Sequence, residues 1–264
     1  MLKKLFKYEF SNNYKFLLIF YGLAFIFALF TRFFSIFDNS NFLIIISKIC
    51  FGATISMCFN ILINNLMRLW VDFKNSFYGD RAYLIQTLPI KRETIFLSKV
   101  LFSVFTLFVS MFVIAISLLI AIYSKENFEI FKVFLEKTVE SFNTSIFGFI
   151  LIIILLLFTQ FLFILLSGYL GMVIGFRRHD KKMGFSVIYS LLIYLTGLIL
   201  AFIIIFVISL FNKTIYSNLF SSPEFIEFWI LKLLMILMTF IYVCCNIAIY
   251  IISHKLLKKG IDVD

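Results

Sequence analysis

The sequence predicts an all-α polytopic membrane protein with six transmembrane helices, an N-terminal interfacial helix and a short cytoplasmic helix between spans 2 and 3. Three observations predict it. The 264 residues are 62% hydrophobic and only 14% charged, with a mean hydropathy of +1.06; soluble domains are about 45–50% apolar and about 25% charged. Six apolar runs are each about as long as the roughly 20 residues that a bilayer core requires. The formal charge of +10 is distributed in alternate connections rather than spread evenly.

The runs lie near 16–36, 42–66, 100–123, 146–176, 185–211 and 229–253 of a single transmembrane domain covering 1–264. The fourth is too long for one perpendicular span. It is either tilted or extended into the cytoplasm by Gly168 to Phe176. Orientation follows from the flanks. Seventeen of the 24 Lys and Arg fall in the amino terminus, the 67–99 segment, Arg177 to Lys182 and the tail. The 14 acids divide equally between the two sides. Lys and Arg concentrate on the cytoplasmic side of membrane proteins, so both termini are expected in the cytoplasm. The first apolar run is long enough to span, and no small-residue cleavage site marks it as a signal peptide.

Residues 1–15, MLKKLFKYEFSNNYK, set Leu2, Leu5, Phe6 and Phe10 on one helical face and Lys3, Lys4 and Lys7 largely on the other. This pattern suits an interfacial helix held by apolar burial and anionic lipid; a basic flank that only fixes topology stays open beside it. On the opposite side, Ser124 to Thr144 interleaves Phe128, Phe131, Phe134, Leu135 and Phe142 with alternating Glu and Lys. An amphipathic helix on the outer leaflet and a substrate gate both fit it. The connector from Phe211 to Phe228, with Pro223, reads as a plain loop or a re-entrant turn. No internal repeat stands out.

Chemistry-bearing patterns are sparse. There is no GxxxxGK[ST] to hold nucleotide phosphates and no HExxH. Neither His179 nor His254 has a metal-ligand partner nearby in sequence, so catalytic residues, metal ligands and bound cofactors are expected to be none in this chain, and nothing points to nucleic acid. Cys50, Cys58, Cys244 and Cys245 lie inside apolar runs without CxxC spacing, which fits small hydrophobic residues rather than a disulfide framework. The six spans themselves are nearly free of Asp and Glu. Arg32 and Lys48 sit near the outer ends of the first two runs, where their stems can snorkel. The polar candidates within spans are Asn60, Asn64 and Asn65 in the second and Thr159 and Gln160 in the fourth. Such groups join helices by hydrogen bonds or line a pathway.

The segment from Met67 to Lys99 carries six cations and three acids and is too patterned for a simple connector. Phe73 to Tyr83 mixes aromatic and charged residues. Proline disfavours helix in the residue before it, so Leu88 should be extended and a new helix should begin near Pro89. A short helix, a break and then a transmembrane helix would present a rigid knob to a partner.

The run FYGDRAYLIQTLPIKRETIFLSKVLF resembles the D-x(n)-G-x(n)-LL-x-LP-[VI]-x-R-x-x-[IV]-x-x-[GS]-K segment of ABC-2 type exporter permeases. Gly79, Leu84–Ile85, Leu88–Pro89–Ile90, Arg92, Ile95 and Lys99 occupy matching positions, with Asp72 and Asp80 both candidates for the acid. The six-span layout with a basic interfacial (elbow) helix is similar too. The chain departs from the pattern at Lys91, where a small hydroxyl residue is common, and at Ser98, where glycine is common. Losing the hydroxyl weakens a helix N-cap. The resemblance implies that 67–99 contains the coupling helix on which a separate cytoplasmic P-loop ATPase dimer, holding ATP-Mg, would act. It implies a second permease copy, identical or related, and a place in the cell membrane of a bacterium. Gly79, Asp80, Arg81, Tyr83, Leu84, Leu88, Pro89, Lys91 and Arg92 would form the docking surface, with Tyr83, Leu84 and Leu88 as apolar anchors and Arg81, Lys91 and Arg92 setting orientation. The expected cargo is amphipathic or hydrophobic: a peptide, drug or lipid. The alternative is a six-span immunity or interaction protein working without an ATPase.

Overall fold

Every element of the computed structural model is a helix, among the described residues 2–37, 41–79, 81–87, 90–123, 125–178, 181–211 and 228–258. In chain order these are α1 (Leu2–Ser35), α2 (Asn41–Phe77), α3 (Arg81–Gln86), α4 (Arg92–Ile122), α5 (Lys125–Ser141), α6 (Ile146–Gly175), α7 (Lys182–Phe211) and α8 (Phe228–Lys258). Six of them, α1, α2, α4, α6, α7 and α8, are long and apolar enough to cross a membrane, with mean hydropathies of 2.0 to 3.1 over their most apolar windows. Each covers one of the six expected runs to within one residue. These helices define the class: a multi-pass α-helical membrane protein. The connector between α7 and α8 falls at 212–227, outside the described residues.

Three boundaries differ from the sequence expectation, two of them for a packing reason. No break separates an interfacial helix at 1–15 from the first span: α1 runs unbroken for 34 residues, about 50 Å at 1.5 Å per residue. Its first turns are held by protein, since Phe6 meets Phe102 and Phe105 of α4 edge-on at 5.8 Å, while Lys3, Lys4 and Lys7 stay exposed. Similarly, much of the 67–99 segment is helix rather than loop. α2 continues to Phe77 because Leu69, Phe73 and Phe77 are buried, with Phe73 set edge-on to Phe96 of α4 at 6.1 Å. Finally, α4 begins at Arg92 rather than near Pro89. Lys91 is its extended N-cap and supplies no side-chain cap bond, as a lysine without a hydroxyl must fail to do.

The chain divides into two compact units, 1–131 and 132–264, with the boundary inside α5. In the first, α1 packs on both α2 and α4, α2 also meets α4, and α3 rests on α2. Leu17, Tyr21 and Ala24 of α1 close over Ile61 of α2, flanked by Val109, Val113 and Ile114 of α4.

In the second unit α6 is central, packed on α7 and α8. Its Gly171 and Gly175 lie against Ser190 and Ser186 of α7. A Cβ on Gly171 would stand 2.7 Å from Ser190 Cα, and one on Gly175 would stand 2.5 Å from Ser186 Cα. Small residues four apart on both helices allow this approach, the usual device where lipid gives no hydrophobic drive for association. Farther along, the Phe163 ring fills the space beside Gly197 and meets Tyr194 and Tyr242 at 5.7 and 5.6 Å. Within Ser124 to Thr144, read as an amphipathic helix or a substrate gate, Lys125–Ser141 forms the helix α5, with Phe128, Phe131 and Phe134 exposed.

Candidate functional site

At the end of the first unit where α1 begins, α2 ends and α4 begins, one charge from each helix meets out of water. Lys99 Nζ donates to Asp72 Oδ2 at 2.5 Å and to Glu9 Oε1 at 2.9 Å. The three side chains are 2%, 6% and 4% exposed respectively. Arg81, the first residue of α3, reaches Asp72 Oδ1 at 3.5 Å from a half-exposed position. Two carboxylates therefore face two cations, and the cluster is balanced.

Amides extend it. Asn12 Nδ2 donates to Asp72 Oδ1 at 2.8 Å. Arg68 donates from Nε to Asn13 Oδ1 at 2.8 Å and from Nη2 to the Asn12 carbonyl at 3.2 Å. Its guanidinium also lies over Phe16, with Cζ 5.3 Å from the ring centroid. Glu9, Asn12, Asn13 and Phe16 follow one another at helical spacing, so one face of α1 is committed to α2 and α4.

Two weaker polar levels join the same helices deeper in the apolar region. Asn65 Nδ2 donates to Ser110 Oγ at 2.9 Å, and Ser110 shares a 2.8 Å hydrogen bond with Tyr21 Oη. Beyond them, Ser47 Oγ donates to the Thr31 carbonyl at 3.2 Å, and the Thr31 and Thr54 hydroxyls lie 3.3 Å apart. A charged pair at the end with hydroxyl and amide bonds in the middle follows from desolvation cost, which is greatest for ions.

The expected docking residues stand beside this cluster. Tyr83 on α3 is 74% exposed, whereas its neighbour Ala82 is buried at 1%. The α3 helix therefore presents one side outward and rests the other on α2. Lys91 is exposed and Arg92 partly so. Gly79 is set tightly over Asn75, whose Cα would stand 3.0 Å from a Cβ there. Arg81 is tied to Asp72 rather than left for a partner alone. Asp80, Leu88, Pro89 and the Leu84 side chain lie outside the described residues.

The polar span candidates behave differently from one another. Asn60 and Asn64 donate to carbonyls of their own helix, Ser56 and Asn60, both at 2.9 Å, and join no second helix among the described residues. Thr159 does join helices, but through its carbonyl, which accepts from Asn246 Nδ2 of α8 at 3.0 Å. Gln160 is half-buried on the same helix. Arg32 lies over the Tyr123 ring at 5.8 Å.

Sequence reasoning missed Glu9 and Asn246 and read Lys99 only as a motif position and a topology charge. The spans proper, with their dearth of acids, gave no hint of a buried pair. The available signal was Glu9-x-x-Asn12-Asn13, a polar stripe on the apolar side of a basic helix. Compared with known proteins, the chain matches no protein family, no curated protein and no solved structure.

Proposed function

We propose that this chain is the permease subunit of an ATP-driven exporter of the ABC-2 type, working in a bacterial cell membrane with both termini cytoplasmic. The observation that carries the reading is α3: a short helix with Tyr83 outward, mounted on a buried ionic cluster that ties it to α1, α2 and α4. The motif resemblance over Gly79 to Lys99 supports the same reading.

The mechanism divides the labour. A partner ATPase dimer binds and hydrolyses ATP-Mg and closes against α3. A push on α3 bears on Asp72 through Arg81, and Lys99 passes it to α4 and, through Glu9, to α1. Three helices then move as one body instead of sliding past each other. A six-helix chain forms half of a pathway, and a second copy or a related chain completes it around an amphipathic or hydrophobic cargo such as a peptide, drug or lipid.

The test is purification of the full chain in mild detergent, with mass spectrometry of co-purifying proteins and an ATP hydrolysis assay. Wild type should bring down a P-loop ATPase, and Tyr83→Asp should lose it. Recovery of the wild-type chain alone, free of ATPase, overturns the reading in favour of a six-span protein acting without one.

A further inference from the structure

Where α6 ends, α7 begins and α8 ends, positive charge collects that the ionic cluster and α3 do not use. The termini contribute Arg177, Arg178, Lys181, Lys255 and Lys258, all exposed. Two of these are built into the fold. Arg177, just past α6, donates from Nη2 to the Leu256 carbonyl of α8 at 2.6 Å. The last carbonyls of a helix lack partners within it and form the negative end of its dipole, so this contact fixes both groups. Arg178 turns to α7 instead, donating from Nη2 to Tyr189 Oη at 3.2 Å and lying over the Phe185 ring with Cζ 5.8 Å from the centroid.

Each guanidinium is thus held by one of its five N–H donors, and the others have no partner among the described residues. No carboxylate among the described residues pairs with any of the five cations. Meanwhile Phe185 and Tyr189, with Tyr250 and His254 tilted against each other at 6.1 Å on α8, give this end the aromatic lining typical of the headgroup level. Fixed cations at that level with spare planar donors match a phosphate, which guanidinium binds through two parallel hydrogen bonds.

We propose that Arg178, flanked by Arg177, Lys181 and Lys255, forms a binding site for the phosphate of an anionic phospholipid headgroup. This inference does not rest on the exporter reading, since it needs only that α6, α7 and α8 lie in a bilayer. The lipid neutralises a charge cluster that no carboxylate among the described residues compensates, and it fastens three helix ends together.

The experiment is native mass spectrometry of the full chain in detergent, titrated with phosphatidylglycerol, phosphatidylcholine or inorganic phosphate. Wild type should retain phosphatidylglycerol in preference to phosphatidylcholine. R178Q/K255Q should bind it on the order of tenfold or more weakly, at about 1 kcal/mol per cation. The charge-conserving R178K/K255R should bind substantially better than the Gln variant, which separates loss of charge from loss of fold. K132Q/K137Q, which removes two cations from α5, should bind like wild type. Equal retention of both lipids by wild type, equal weakening by the α5 variant, or saturation by inorganic phosphate that displaces the lipid would each overturn the proposal.

Discussion

Lys99 and Asp72, 27 residues apart in sequence, share a buried 2.5 Å ion pair that joins the start of α4 to the end of α2. Glu9 of α1 closes on the same ammonium at 2.9 Å. Such a pair need not add net stability, because desolvation of both ions offsets their attraction. Its consequence is asymmetry: removing Lys99 takes from buried Glu9 the cation it pairs with and leaves Asp72 only the half-exposed Arg81 and the Asn12 amide.

Lys99→Met should therefore destabilise the first unit by about 3–5 kcal/mol, the range for breaking a buried pair. Replacing all three charges, as in Glu9→Gln, Asp72→Asn, Lys99→Met, should recover most of that loss. Thermal unfolding of the detergent-solubilised chain reads both. Equal losses in the single and triple variants would mean that side-chain packing, not charge, is what Lys99 supplies.

Arg81 pairs with the same carboxylate under different conditions. Its side chain is 40% exposed and the contact is 3.5 Å, so solvent screening leaves it worth less than about 1 kcal/mol. Arg81→Gln should shift the unfolding transition far less than Lys99→Met. A comparable shift would show that Arg81, too, is an essential member of the cluster.

In the second unit the α6–α7 seam predicts a size limit. Gly175→Ala places a methyl group 2.5 Å from Ser186 Cα, so the helices must part, at about 1–3 kcal/mol for overpacking. Gly22 in α1 meets nothing within 4 Å of its added Cβ. Gly22→Ala should stabilise by up to about 1 kcal/mol through helix propensity. Opposite signs in paired melting curves support the seam; the same sign in both argues against it.

Among the described residues, Asn65 is the asparagine of α2 that bonds to another helix. A double-mutant cycle of Asn65→Ala with Ser110→Ala should give a coupling of about 0.6 kcal/mol, typical of hydrogen bonds between membrane helices. Asn60→Ala and Asn64→Ala should show no coupling to Ser110, because both donate within their own helix. Coupling at Asn60 or Asn64 would mean that the second helix is rotated from its place here.

The six long helices were legible because twenty-residue apolar runs leave little else for a backbone to do in lipid. The helix ends were not. Residues 67–77 look polar enough for a loop, yet Leu69, Phe73 and Phe77 keep helical spacing and bury, so tertiary packing extended α2. The ionic cluster was half legible: Asp72 and Lys99 stood at motif positions, but a charge in a cationic flank reads the same whether it faces water or a carboxylate. Only the approach of α1, with Phe6 on Phe102 and Phe105, brings Glu9 to them. Asn246 was invisible for the same reason, since its partner is a carbonyl, which every residue has.

The exposed side of α3 gives the last prediction, which separates a docking surface from a mere connector. Tyr83 is 74% exposed and Ala82 1% exposed on the same short helix. Surface substitutions away from special features usually stay within about 0.5 kcal/mol, so Tyr83→Asp should leave thermal unfolding unchanged. Ala82→Asp buries a carboxylate against α2 and should lower it markedly, since an unpaired buried charge is among the costliest changes. If α3 receives the ATPase, Tyr83→Asp loses co-purification and ATP-dependent transport while staying folded. Its large aromatic surface is of the kind that anchors an interface, and a carboxylate in its place cannot be desolvated cheaply. Retention of the ATPase by a folded Tyr83→Asp variant would move the contact elsewhere on the chain, and α3 would then be a structural cap over the Asp72–Lys99 pair.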